Sequence, residues 1–231
     1  MTAFDFSVIL RSFPFLMEGM LYTLKIAAVA VAGGILFGTL LALARLSPLR
    51  PLALLAAAYV DLMRSIPLIL VIFWFFFLVP ELLAWVLGRA DPVPVGAEKT
   101  AYITFTLFEA AYYCEVIRAG IQSVPRGQVA AAQAIGLTYA QTMGHVVLPQ
   151  AFRAMVPVLL TQTIILFQDT SLLYVISATD FLGAASKIAQ RDGRLVEMYL
   201  FAALVYFVLC FGLSKLVAHL RHRLGTQPAR A

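Results

Sequence analysis

Charge is what this sequence has least of. Asp, Glu, Lys and Arg together make up 13% of its 231 residues and hydrophobic residues 62%, a balance outside the range of soluble globular domains. With a mean hydropathy of +0.90, the chain reads as an integral membrane protein. Cysteine is scarce as well: Cys114 and Cys210 both fall inside apolar runs, without CxxC or His-rich spacing. That pattern excludes a thiol-built metal or redox centre, and no metal or cofactor is expected. Paired aspartates, a serine with a histidine, and HExxH are missing from the apolar runs, which excludes intramembrane hydrolysis. The GxxxxGK[ST] phosphate loop is missing too, so the chain does not itself bind ATP in that manner. The net charge of +5 comes from Lys and Arg set singly between apolar runs. It is topogenic charge, not a nucleic-acid surface. No cleavable signal is expected, because Asp5 precedes the first base, Arg11, and the apolar run that follows is long enough to remain in the bilayer.

A span needs about 20 mostly apolar residues, and five stretches qualify: Gly19–Ala44, Leu52–Val79, Thr100–Ala119, Ala154–Ile176 and Glu197–Ala218. The fold class expected is an all-α membrane protein with five transmembrane helices. The link Arg45-Leu-Ser-Pro-Leu-Arg50-Pro carries two arginines and no acid, so the positive-inside rule makes it cytoplasmic and puts the N-terminus outside. Arg126–Gln150 holds Arg126 without acids, and the tail holds Arg221, Arg223 and Arg230 without acids. Pro80–Lys99 and Asp180–Glu197 mix both signs. All of this agrees with a cytoplasmic C-terminus.

Polar groups inside the spans are the next signal, since a charge well inside a bilayer costs at least a few kcal/mol unless paired or wet. In the second span Asp61 and Arg64 stand at i, i+3 and are expected to pair, with a bend at Pro67. In the third, Glu115 and Arg118 repeat that spacing, and Glu109 needs a partner on another helix or water. Gly34 and Gly38 in the first span have the spacing of a tight helix contact, and Lys25 can snorkel. The fourth span opens with Pro157 in its first turn and carries Gln162, Thr163, Gln168, Asp169 and Thr170. Gln162 and Asp169, two turns apart, share a face that should point to the bundle interior or a path. Arg64, Glu109, Gln162, Gln168 and Asp169 are therefore the candidate path residues.

Residues 123–150 are too many for a structureless connection and rich in helix formers. A first helix is expected over Gln128–Ile135, after Pro125 and Gly127, and is closed by Gly136 in a left-handed conformation. Thr138 and Gln141 match a capping box that starts a second helix. Tyr139, Met143, Val146 and Val147 would form its apolar face, away from His145, and Leu148-Pro149 would end it. The lone His145 has no ligand or nucleophile companion, which makes it a surface or interface residue.

Ala131-Ala132, Gly136 and Val146-x-Leu148-Pro149 resemble the EAA loop of the membrane subunits of bacterial ABC importers. FEAAYYCEVIRAGI, RGQ, LPQAFRAMVP and FQDTSLLYVI are similar to segments of the polar amino acid permeases, closest to the glutamate/aspartate type. The resemblance covers nearly the whole chain and departs at Ala130, where the general motif has Glu. It implies a single transmembrane domain over residues 1–231 in the bacterial inner membrane, in contact with lipid. It also implies a non-enzymatic permease subunit that works with a separate ATP-binding subunit, a second permease chain, identical or paralogous, and an external amino-acid-binding protein. Residues 123–150 would be the coupling loop, with Ala131, Ala132, Gly136, Tyr139, Met143, His145, Leu148 and Pro149 at the ATPase contact. For an acidic substrate, Arg64, Gln162 and Gln168 would serve the carboxylates and Asp169 the ammonium. The competing reading is an ATP-independent secondary transporter or channel, using Asp61, Glu109, Glu115 and Asp169 as a proton relay. Against it stand the lack of an inverted repeat and the presence of the long loop.

Overall fold

A computed structural model of the protein describes residues 5–223; Arg230, counted above in the basic tail, lies outside them. The described residues are helical, with no strand. In chain order, α1 (Ser7–Arg45) is followed by α2 (Arg50–Ser65), α3 (Leu68–Phe73) and α4 (Val79–Val86). Next come α5 (Ala97–Gln122), α6 (Arg126–Ala134), α7 (Tyr139–Thr142) and α8 (Leu148–Asp169). The last two are α9 (Phe181–Asp192) and α10 (Leu195–Arg223).

Helix α5 lies at the centre, against α1 along its length and against α2 and α8. The approach of α1 depends on missing side chains. A Cβ at Gly34 would meet Glu109 Cβ and Tyr113 at 3.0 Å, and one at Gly38 would stand 2.9 Å from the Ala110 carbonyl oxygen. Both glycines are buried, as the tight-contact reading expected. A second cluster joins the N-terminal part of α1 to α8, α9 and α10 around Leu16, Phe181, Ile188 and Met198.

Four helical stretches among the described residues are long and apolar enough to cross a membrane: Ser7–Arg45, Leu68–Val86, Tyr139–Ile176 and Leu195–Arg223. The five expected spans map onto this set with changes. The expected second span breaks where Ile66 and Pro67 are extended (ψ 134° and 135°), so α2 is a separate helix and the apolar one begins at Leu68. Proline disfavours α-conformation in the residue before it and cannot donate within a helix. The expected third span lies within α5, which has 26 residues but includes Glu109, Glu115 and Arg118. Its polar groups meet other helices instead of lipid, which is how a central helix tolerates them.

Two wide π turns, Trp74–Leu78 and Met143–Val147, each end two residues before a proline, Pro80 and Pro149. A wider turn absorbs the bond that proline cannot make. The helix therefore runs through Leu148-Pro149 instead of ending there, and Pro157 sits inside α8, not in its first turn. The expected link Asp180–Glu197 contains α9, packed between α1 and α10. Asp180 starts it by accepting from the backbone N–H groups of Leu182 (3.1 Å) and Gly183 (3.2 Å).

Candidate functional site

Side chains from α2, α3, α5 and α8 enclose an open cleft of about 600 Å³, with Arg64, Pro67, Phe108, Tyr112, Gln162 and Asp169 in its wall. The break at Ile66-Pro67 shapes one side, and the shared face of α8 supplies Gln162 and Asp169, as their seven-residue spacing implied. Glu109, 1% exposed, lies behind this wall and finds the interhelical partner its isolation called for: Gln162 Nε2 donates to both of its oxygens at 3.3 Å. One turn further on α5, the Tyr113 hydroxyl is 3.1 Å from Thr163 Oγ1, a second polar tie between α5 and α8.

Of the five candidate path residues, Arg64, Gln162 and Asp169 line the cleft and Glu109 supports it. Gln168 is elsewhere, in a separate cleft against α10 with Ser214 and Arg221. Consecutive helix residues point about 100° apart, so Gln168 and Asp169 cannot share a face. The expected Asp61–Arg64 pair does not form. Asp61 is exposed, and Arg64 turns instead to Glu115 of α5 at 3.9 Å and stacks over the Tyr112 ring at 5.5 Å. The Glu115–Arg118 pair is present at 2.6 Å, and Arg45 from the end of α1 also hydrogen-bonds Glu115. Sequence reasoning missed Tyr112 and Arg45 in these roles. Tyr112 stands three residues after Glu109 and so shares its side of α5, a spacing that was available as a signal.

Residues 123–150 fold as one short helix, α6, and the first turns of the long helical stretch Tyr139–Ile176. Helix α6 ends at Gly136, whose φ is +87°, and Leu137 N–H reaches back to the Ala132 carbonyl at 3.1 Å. Thr138 and Gln141 form the capping box: Thr138 N–H donates to Gln141 Oε1 at 2.9 Å and Gln141 N–H to Thr138 Oγ1 at 3.4 Å. The expected single apolar face of Tyr139, Met143, Val146 and Val147 is divided. Val147 is buried, Met143 half-buried, and Tyr139 74% exposed, as is Ile135 at 80%. The π turn adds residues to one revolution, so the i, i+4, i+8 relation fails across it. Ala132 also faces inward, whereas Ala131, Gly136, His145, Leu148 and Pro149 are exposed.

The model of the family described as binding-protein-dependent transport system inner membrane component matches residues 34–226. The chain belongs to that family. It is the permease subunit of an ABC importer, and such a subunit is not itself an enzyme: ATP is hydrolysed by a separate subunit, and a substrate-binding protein completes the system. It is a multi-pass inner-membrane protein. The chain is 53% identical over 223 residues to the glutamate/aspartate import permease protein GltK of Escherichia coli O6:H1, covering 96% of this permease and 99% of that one. It is 35% identical over 218 residues to the probable glutamine ABC transporter permease protein GlnM of Bacillus subtilis, covering 94% and 97%. A crystal structure of an amino acid ABC transporter superposes with a TM-score of 0.87 at 30% identity, covering 96% of this permease and 100% of that chain. The MetNI methionine ABC transporter, at 19% identity and a TM-score of 0.66 over 89% of this permease and 96% of that chain, shares the fold.

Proposed function

We propose that this permease passes an acidic amino acid, glutamate or aspartate, through the cleft between α2, α3, α5 and α8. The observation that carries the proposal is the placing of one cation, Arg64, and one carboxylate, Asp169, on the wall of a single cleft. A substrate with two carboxylates and an ammonium needs both signs. The 53% identity to a glutamate/aspartate import permease supports the same class.

The hydrogen bonds refine the roles. Gln162 donates its amide nitrogen to Glu109, which leaves its amide oxygen to face away from that carboxyl. A carbonyl oxygen accepts, and Gln162 therefore serves the ammonium together with Asp169, leaving the side-chain carboxylate to Arg64. Gln168 has no part in this cleft.

The topology proposed is five spans, with α5 as the third, the N-terminus outside and the C-terminus in the cytoplasm of a bacterial cell. Residues 1–231 form one transmembrane domain. Residues 123–150 form its coupling loop, held in a cleft of the ATPase by the exposed Ala131, Ile135, Gly136, Tyr139, His145, Leu148 and Pro149. A second permease chain, identical or paralogous, completes the path, and the external binding protein delivers substrate. Because Ala130 carries no charge, docking rests on shape and helix packing.

The test is uptake of labelled L-glutamate into proteoliposomes holding the full complex and its binding protein, with a protonophore present. Uptake that requires ATP and ignores the protonophore is expected. Uptake that unlabelled L-aspartate does not compete, or that stops with the protonophore and persists without ATP, overturns the proposal.

A further inference from the structure

Three arginines from three helices converge on one carboxylate beside the cleft. Arg45 of α1 and Arg118 of α5 hydrogen-bond Glu115, the latter at 2.6 Å, while Arg64 of α2 stands at 3.9 Å, beyond hydrogen-bond range. Arg64 is also the most exposed of the set, with its side chain 41% exposed against 16% for Arg45 and 28% for Arg118. Its remaining contacts belong to the cleft: it lies on the wall and its guanidinium rests over Tyr112. The helix breaks two residues later at Ile66-Pro67. Arg64 is thus shared between a fixed carboxylate and the space a substrate would fill.

We propose that Glu115 is a positioning residue that sets the cleft's preference for a substrate side-chain carboxylate by competing with it for Arg64. This rests on the reading of the cleft as the substrate path. With the cleft empty, the attraction to Glu115 holds the guanidinium toward α5. A second carboxylate in the cleft offers Arg64 a bidentate partner at hydrogen-bond distance, better than the 3.9 Å contact it leaves. Glu115 is not stranded by the exchange, because Arg45 and Arg118 keep both of its oxygens bonded. Releasing Arg64 therefore avoids the cost of leaving a part-buried charge alone. A neutral amide cannot draw the guanidinium off in this way, so the competition favours acidic over amide side chains.

The test is equilibrium binding of radiolabelled L-glutamate and, separately, L-glutamine to the purified complex without its binding protein. Arg64→Gln is expected to weaken glutamate binding about tenfold or more, the scale of one charge-assisted hydrogen bond, and to leave glutamine within about twofold. Glu115→Gln is expected to tighten glutamate about threefold or more without moving glutamine. That gain should vanish in the double variant Arg64→Gln/Glu115→Gln, because the competitor acts only through Arg64. If Arg64→Gln leaves glutamate binding unchanged, the reading of the cleft fails and this inference with it. If Arg64→Gln weakens glutamate but Glu115→Gln changes nothing, or moves both ligands alike, the cleft stands and the role of Glu115 is overturned. Should Glu115→Gln fail to assemble, Glu115→Asp keeps a charge for Arg45 and Arg118 but withdraws it from Arg64. It should give a smaller gain for glutamate alone, and no gain or an equal shift for glutamine overturns the role.

Discussion

A methyl group added at Gly38 would stand 2.9 Å from the Ala110 carbonyl oxygen and from Tyr113 Cβ. Neither can yield without moving α5, so Gly38→Ala should destabilise the purified protein by about 1–3 kcal/mol, the usual cost of overpacking. Gly212 in α10 has nothing within 4 Å of its added Cβ. Gly212→Ala should be neutral or slightly stabilising, since alanine is the better helix former. Thermal midpoints in detergent compare the two. Asp180 offers a pH readout. Burial pushes its carboxyl up to about 6, against the partly offsetting N–H bonds from α9 and the nearby Lys187. The folded state then holds the proton more tightly than the unfolded chain, where a carboxyl titrates near 4. The stability this confers is complete below about pH 4 and is lost as pH rises through about 6. Asp180→Asn keeps the helix cap but cannot ionise. Its midpoint should fall less than the wild type's between those pH values, and identical slopes would falsify the assignment.

At the scale of elements, the local fold of residues 123–150 was largely legible. Gly136, the Thr138–Gln141 box and Pro125 are short-range signals whose geometry is settled within a few residues, and each is where it was expected. What failed was periodicity carried through Met143–Val147, because the π turn ahead of Pro149 changes the number of residues per revolution. Gly136 itself gives the test of the loop. At φ +87° a side chain costs about 1–2 kcal/mol in the left-handed region, and it would tilt α6 against α7 at an exposed surface. Gly136→Glu should cut ATP-driven uptake by about tenfold or more while membrane insertion is unchanged; wild-type uptake would remove the loop from the coupling route.

For the whole molecule, the proposed five-span topology makes a prediction that labelling can check. In a background with Cys114 and Cys210 replaced by alanine, Asp91→Cys lies between α4 and α5 and Gly127→Cys in α6, both exposed. A membrane-impermeant maleimide should label the first in intact cells and the second only after permeabilisation. The reverse pattern would invert the orientation.

The sequence by itself determined the membrane class, the helical content, and the face of α8 that carries Gln162 and Asp169. Those follow from composition and from fixed helical periods, both of which are local quantities. Only the tertiary structure decided that Arg64 leaves Asp61 for Glu115, that Gln162 turns its amide nitrogen to Glu109, and that Gln168 lies outside the cleft. Each depends on which helix stands beside which, at distances where a few ångströms separate a hydrogen bond from none. The close passage of α1 at Gly34 and Gly38 brings Arg45 to Glu115, and the break at Pro67 leaves Arg64 at the mouth of the cleft.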